Sequence, residues 1–560
     1  MIKKIRYYAG LVLLSLMLFS CKEDFLEITP TDQLSSESIF ADQAGADVFL
    51  NDIYSHLPDE EGGGNNPAAY YVYDPFENYG DNSVSGYHWS MSWVLGTTKS
   101  YGPATYNPGL YNHDYPAMPF MYDHTYQNIR KCNLFIQQVK EDSVNFTKDW
   151  RTKRLAEARF LRAFYYHFAW MAYGGLPIVT EVLNRQTQGD SIFVPRSTFE
   201  ETYQFMDNEL AAAAKDLPNI QGGGRATKGA ALALKGWIEL FAHKYSAAAV
   251  TNKEIMDLGT YSLFPDYNAQ FMEANNNNNE SIFAYQHIPN IRPNKRSEYY
   301  GPKGNYGGWG QMQPTQGLID DYVMKNGLPI TDPASGYDPD HPYDNRELRF
   351  EESIIHDGSV FAGDTFSMVD GSSFAYNPGA ENNTGYFRRK GIDPNLKGNF
   401  AQDGSTYNFF RYAEVLLSFA EAKIELNQIG QEVISAIDKV RVRGGLPTLM
   451  DTYHRTLSQD EMRTVVRRER RVELAFENQR YWDLIRWRTA MTVLNQPAYG
   501  VKIAQNNGVS TYTKVIAHTR QFLDKNYLFP LYQQWIDTNP KIKAQNGGPD
   551  GWVNGQNPDY

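Results

Sequence analysis

Apolar residues recur at alternating three- and four-residue steps in block after block of this chain, and helix-stopping residues follow each block. Ala158, Leu161, Tyr165, Phe168 and Ala172 form one stripe, ended by Gly174-Gly175-Leu176-Pro177. Ala231, Leu234, Ile238, Phe241 and Tyr245 form a second, and a shorter helix is predicted from about Ala247 to Leu258, closed by Gly259. Tyr412, Val415, Leu416, Phe419 and Leu426 form a third. After a break at Gln428-Ile429-Gly430, Ile434, Ile437 and Val440 continue on a new helix, which Gly444-Gly445 and Pro447 end. This spacing puts each set on one helical face. The links within 231–258 and 412–442 are short, so each pair must fold back antiparallel. The hairpins are of tetratricopeptide size, without a strict 34-residue repeat.

Long tracts without periodicity separate the helical blocks. Residues 59–124 and 275–405 are rich in Gly, Asn, Pro, Tyr and Trp. Loops of that length are uncommon unless functional or disordered, and their aromatic content argues against disorder. Aromatic residues make up 14% of the chain, with 39 Tyr and 10 Trp. Tyr and Trp offer a flat apolar face with a polar edge, which suits ligands of the same mixed character, sugars above all. Most of these rings must still serve packing. A helical scaffold carrying ordered aromatic loops is the layout of a binding protein.

The start of the chain reads as a targeting signal. Lys3, Lys4 and Arg6 precede an apolar run, Leu11–Phe19, and Cys21 follows at once. The run has signal-peptide size and falls short of the about 20 residues that span a bilayer. The segment Leu18-Phe19-Ser20-Cys21 resembles a bacterial lipobox, in which the Cys becomes the acylated first residue. Phe19 stands where such boxes usually carry a smaller side chain. Residues 1–20 are therefore expected to be removed and 21–34 to form an acylated tether. Lys22-Glu23-Asp24 resembles the tag that sends lipoproteins of Bacteroidetes-type bacteria to the outer face of the outer membrane. No internal segment approaches a membrane span, so lipid on Cys21 would be the sole attachment. Each buried CH₂ of such an anchor contributes about 0.8 kcal/mol.

Charge and cysteine usage narrow the partners. The net charge is −12, and loss of residues 1–20 removes three positive charges and no acid, leaving about −15. Phosphate backbones are bound through Lys and Arg, so nucleic acid is not an expected partner. Only two Cys are present. With Cys21 acylated, Cys132 has no intramolecular partner and is expected to be a buried, inert thiol.

Residues 461–488 are rich in Arg. Met462, Val465, Val472 and Phe476 mark a buried helical stripe; Arg463, Arg467 and Arg471 form one row and Glu469, Glu473 and Glu477 another. Like charges at that spacing repel, so each row needs opposite charges from neighbouring rows or other helices. Here the chain resembles the SusD/RagB family. Arg468-Glu469-Arg470-Arg471-Val472-Glu473-Leu474-Ala475-Phe476-Glu477 with Arg480-Tyr481-Trp482-Asp483-Leu484-Ile485-Arg486-Trp487 is similar to its signature. Cys21–Leu26, Glu157–Ala163, Arg411–Leu417, Ala420-Glu421-Ala422, Arg441-Val442-Arg443, Tyr527–Pro530 and Asp537–Pro540 match other family segments in family order.

The resemblance implies a mainly α fold, with four stacked tetratricopeptide-like helix pairs, large irregular ligand-binding loops and minor β. It divides the chain into an N-terminal helical region, 35–270, and a C-terminal region, 271–560. It implies a surface-exposed outer-membrane lipoprotein that caps a SusC-like TonB-dependent transporter and delivers glycans or other nutrients to it. The alternatives are the same role for peptides or another nutrient, or a polysaccharide hydrolase. No enzyme constellation stands out: the 11 His are scattered, no His-Glu-x-x-His or nucleophile elbow occurs, and neither Gly62–Gly64 nor Gly222–Gly224 is followed by the Lys-Ser/Thr of a phosphate loop. No cofactor is expected.

A sugar site needs aromatic platforms flanked by polar groups. Asp81–Trp93 supplies both, and Tyr299, Tyr300, Tyr306 and Trp309, set among glycines, form a second cluster. In the family, ligand platforms come from these two regions. The candidates are Trp89, Trp93 and Trp309, then Tyr101 and Tyr299, with Asn82 as a polar partner; loop packing is the alternative for each. Trp482 and Trp487 are assigned to the core. Asp332, Asp338, Asp340 and Asp344 crowd one loop, but they lack EF-hand spacing. Their expected role is turn chemistry rather than supplying the roughly six to eight oxygens of Ca²⁺, so no metal is assigned.

Overall fold

A computed structural model of the chain describes residues 36–59, 61, 75–86, 119–220, 222–378 and 382–560. Cys21, Trp89, Trp93 and Tyr101 lie outside these residues. In chain order, helix α1 (Gln43–Ser55) and the short strand β1 (Ser83–Ser85) precede five long helices: α2 (Pro119–Lys140), α3 (Lys148–Tyr173), α4 (Phe199–Asp216), α5 (Lys228–Phe241) and α6 (Tyr245–Asp257). Then come strand β2 (Ser281–Tyr285), helix α7 (Arg296–Tyr300) and strands β3 (Met312–Pro314) and β4 (Tyr407–Arg411). Helices α8 (Tyr412–Glu425), α9 (Gln431–Arg443), α10 (Gln459–Glu473) and α11 (Gln479–Arg486) follow, and then a hairpin of β5 (Ala498–Asn506) and β6 (Val509–His518). The fold is mainly α, as expected.

The helices pack serially, α2 on α3, then α4, α5, α6 and α8, which carries α9 and α10. The two expected hairpins appear as α5–α6 and α8–α9. Local signals set the ends. Thr198 with Glu201, and Ser458 with Glu461, close reciprocal capping boxes on α4 and α10, satisfying backbone N–H groups that a helix start leaves unpaired. Helix α3 departs from the single stripe read in its sequence: from Ala156 to Tyr173 every residue but Arg159 is buried. It is enclosed by α1, α2 and α4, and Phe160 and Phe164 meet Phe283 of β2 edge-on at 5.0 and 5.7 Å.

The long tract between α6 and α8 is closed at its base, where β2 pairs antiparallel with β4. Within it Tyr299, Tyr300, Tyr306, Phe350, Phe366 and Phe387 share a second hydrophobic cluster with Val472 and Phe476. The irregular aromatic tract is therefore ordered around a core of its own.

The signature segment is two helices, not one. The helical stripe read through Phe476 ends earlier, for the chain breaks at Leu474–Asn478, where Phe476 and Asn478 take φ of 66° and 60°, a region costly for non-glycine residues. The buried Glu77 carboxylate compensates, accepting from Phe476 N (2.9 Å) and Asn478 N (3.1 Å), while Asn478 Oδ1 accepts from Glu77 N (2.9 Å).

The two charge rows are answered as the sequence requires. Glu469, Glu473 and Glu477 face Arg349, Arg411, Arg441, Arg443 and Lys390, with Glu280 and Glu347 completing a buried set of five cations and five carboxylates. Arg463 and Arg467 meet Glu425, and Arg471 meets Asp81 and Asp321. Trp482 is buried, while Trp487 is half-buried and donates from Nε1 to Glu421 Oε1 at 2.6 Å.

Cys132 is fully buried in α2, and burial pushes its thiol up to about 12. Thiolate is the reactive form, so a maleimide is expected to leave Cys132 unlabelled in the native chain and to label it fully in denaturant. Rapid native labelling at Cys132, read by peptide mass, would contradict the buried placement.

Candidate functional site

The described part of the first candidate region, Asp81–Gly86, is joined to the second by β1 and β3. These strands pair antiparallel, with Ser83 opposite Pro314, Val84 opposite Gln313 and Ser85 opposite Met312. Gly86 N donates to Gln311 O (3.2 Å), Thr315 N to Asn82 O (2.9 Å) and Thr315 Oγ1 to Asp81 O (2.6 Å). A Cβ on Gly86 would lie 2.3 Å from Gly310 O, so this close approach requires glycine. Gly86 therefore ends β1 beside Gly310, where the chain leads into β3; residues 87–93 lie outside the described residues.

Trp309 is fixed by its backbone. The chain returns from α7 through a glycine-rich turn, so that Trp309 N donates to Glu298 O (2.8 Å), Gly310 N to Gly301 O (2.9 Å) and Gln311 N to Tyr299 O (2.9 Å). The Trp309 and Tyr299 rings lie 4.3 Å apart, tilted by 48°. Tyr299 is only 5% exposed and backs the half-buried Trp309. Tyr300 and Tyr306 are buried, and Tyr306 donates to Asp393 O at 2.7 Å. Of the four rings in this cluster, Trp309 keeps the most exposed face.

Asn82 departs from expectation. It is wholly buried; its amide donates to Glu77 Oε1 (2.7 Å) and its oxygen accepts from Arg471 Nε (2.8 Å). It sits between the Glu77 brace and the arginine of the signature helix. The neighbouring Asp81 lies between Arg471 and Arg480, which outweigh the effect of burial and hold its carboxyl well below the usual range. This corner serves the fold.

Polar groups beside the backbone that holds Trp309 were missed in the sequence. Lys295 Nζ pairs with Glu298 Oε2 at 2.6 Å, both side chains partly exposed. Asn383 Nδ2 donates to Ser85 O at 3.0 Å, and its backbone N donates to Gln313 Oε1 at 2.7 Å. Asn383 lies in an aperiodic Asn-rich tract, where no spacing distinguishes it; the Lys295–Glu298 spacing was the available signal.

The acidic loop makes turns. Asp332 Oδ1 accepts from Ala334 N (2.8 Å), and Asp338 accepts from Asp340 N (2.9 Å) and from His341 Nδ1 (2.9 Å). Among the described residues no group of three or more His, Cys, Asp or Glu is placed to hold a metal ion. An anchored aromatic face bordered by amide and charged groups can hold a ring that is apolar on its faces and polar at its edge.

A serial array of helix hairpins supporting ordered aromatic loops defines a helical-scaffold binding protein. The comparisons with known proteins place it further. A model described as the SusD family matches residues 268–552, and one described as starch-binding associating with outer membrane matches residues 24–240; the chain belongs to the SusD family. SusD-like protein P38 of Formosa agariphila is 23% identical over 518 residues, covering 86% of this chain and 92% of that protein. Among solved structures, a SusD-like protein from Bacteroides fragilis is 26% identical with a TM-score of 0.77, covering 95% of this chain and all of that one. A SusD-like carbohydrate binding protein from the same species is 26% identical with a TM-score of 0.76, covering 90% of this chain and all of that one. Among the described residues no helix is long and apolar enough to cross a membrane.

Proposed function

We propose that this protein is a surface glycan-binding lipoprotein, anchored in the outer membrane through acylated Cys21, that captures polysaccharide or oligosaccharide and passes it to a SusC-like TonB-dependent transporter. The observation that carries the reading is the half-buried Trp309 ring, held by its backbone over Tyr299 where the chain enters β3 and pairs with β1. Family membership supports it, as do relatives named for carbohydrate and laminarin binding. The contact residues proposed are Trp309, backed by Tyr299, together with Trp89, Trp93 and Tyr101. Binding without cleavage is the proposed activity. The purified chain should be retarded in gels containing one polysaccharide of a panel of starch, laminarin, xylan and pectin, and should release no new reducing ends from it. Free migration through every gel would overturn glycan capture.

The anchor has its own test. Cys21→Ser should move the protein from the membrane fraction to the soluble fraction almost completely, because the bilayer would lose its acyl chains. Retention of the variant in washed membranes, read by immunoblot, would count against acylation at Cys21.

A further inference from the structure

A second site is suggested by Tyr261, on a part of the molecule that shares no lining residue with the Trp309 ledge. Gly259 takes a left-handed φ of 65° at the end of α6, and the chain lays Tyr261 against the first turn of α5. The Tyr261 hydroxyl lies 3.2 Å from Thr227 Oγ1. A Cβ on Gly229 would fall 2.2 Å from the Tyr261 hydroxyl oxygen, so the helix carries glycine where the ring is seated. Tyr261 is nevertheless half-buried rather than enclosed, an anchored ring with accessible surface.

Two hollows meet at this ring. One, of about 640 Å³, lies between the Gly222–Gly224 turn and β2 and includes Asn219, Asn279 and Gln286. The other, of about 650 Å³, runs past Tyr412 along the outer face of α9, with Gln431, Ser435 and Lys439. Each falls in the roughly 300–1,000 Å³ range of ligand sites, and Tyr261 lines both.

The chemistry of the first hollow suits a neutral, hydroxyl-rich ligand. Apart from Tyr261, the one ionisable side chain lining the first hollow is Arg225, and its guanidinium donates to Glu157 Oε2 (2.8 Å) and Asn51 Oδ1 (2.5 Å). Asn219, Asn279 and Gln286 are exposed, Gln286 in a reciprocal amide pair with Asn277 at 3.1 and 3.2 Å, and carboxamides supply both donors and acceptors, the pairing a sugar hydroxyl needs. In the second hollow Asp438 accepts from Leu449 N (2.7 Å) and Arg443 pairs with Glu280 (2.9 Å), leaving Lys439 exposed.

We infer that the two hollows form a second carbohydrate-binding groove, with Tyr261 as the central platform for a neutral oligosaccharide segment. The inference rests on the glycan-capture reading and adds a second grip on the same polymer. Two linked sites on one ligand raise retention far beyond either alone.

The test uses the full chain, starch and laminarin gels, and calorimetric titration with maltohexaose and laminarihexaose. Two hexasaccharides should bind each chain, and one should bind Trp309→Ala or Tyr261→Ala. Retention by polymer should fall at least about tenfold in each single variant and vanish in the double variant, while Tyr261→Phe behaves as the parent. Asn279→Ala with Gln286→Ala, at exposed positions, should weaken retention several-fold without disturbing the fold. A single site in the parent, with Tyr261→Ala indistinguishable from it, overturns the second groove and leaves glycan capture standing. Retention by neither polymer, with no hexasaccharide bound, overturns the second groove, and glycan capture falls with it only if the xylan and pectin gels also leave the chain unretarded. Protection of Ser281–Gln286 from hydrogen exchange by a peptide digest, and not by either hexasaccharide, would assign the groove to peptides and overturn the inference.

Discussion

Replacing Glu473 by alanine is expected to destabilise the chain by about 3–5 kcal/mol, the usual cost of removing one partner from a buried ion pair. Glu473 Oε1 accepts from Arg411 Nη1 at 2.7 Å and from Arg443, and Oε2 accepts from Arg349 Nη1 at 3.1 Å. Removing the carboxylate strips a shared anion from three buried guanidiniums. The loss is large against a typical net stability of about 5–15 kcal/mol. Burial alone would raise this carboxyl, but Arg443, Arg411 and Arg349 outweigh it and hold it at about 2. The stabilising contribution is therefore present above the ordinary value of 4.5 and is lost as pH falls from there towards 2. Thermal unfolding followed by circular dichroism checks both statements. A Glu473→Ala variant with the parent Tm at pH 7 would show that the network carries little stability, and a parent curve flat from pH 5 to 3 would contradict its acid lability.

Much of this fold was legible because helices announce themselves locally. The three- and four-residue spacing at 231–258 and 412–442 is enforced within each helix, so the hairpins could be read without knowing their neighbours. The need for countercharges on the signature rows was also legible, since repulsion among Glu469, Glu473 and Glu477 follows from spacing alone. Their partners were not: Arg349 and Arg411 lie 124 and 62 residues away from Glu473 in sequence. The break at Phe476 was hidden for the same reason. It depends on Glu77, about 400 residues away, and apolar spacing runs through it undisturbed. The β5–β6 hairpin was missed although Asn507-Gly508, both with positive φ, is a strong local turn signal.

The site was legible as regions more than as residues. The aromatic cluster among glycines at 299–310 marked the chain that enters β3, because ordered loops need rings and close turns need glycine, while the aromatic residues that follow β1 lie outside the described residues. Composition cannot say which ring faces outward. Tyr299 and Trp309 sit in one cluster, yet one backs the other, a distinction created by the return of the chain from α7. Asn82 showed the converse error: a polar residue beside a binding segment reads as a ligand contact, while its two side-chain bonds are spent on Glu77 and Arg471.

Trp309→Ala should lower affinity for the retained glycan by roughly 30-fold, about 2 kcal/mol, the scale of a hot-spot aromatic, with little change in Tm. The separation follows from how the ring is held. Trp309 is positioned by backbone bonds to Glu298 and by the neighbouring bonds of Gly310 and Gln311, all of which an alanine keeps. The β1–β3 register does not use the indole. Loss of a half-buried ring therefore removes ligand contact far more than core. Trp309→Phe keeps an aromatic face and should recover much of the affinity, which a purely structural role would not require. Titration of each variant with the oligosaccharide of the retaining polymer, alongside its melting curve, separates the outcomes. Unchanged affinity would shift the platform to Trp89, Trp93 or Tyr101, whereas affinity and Tm falling together would make Trp309 a packing residue of the loop core.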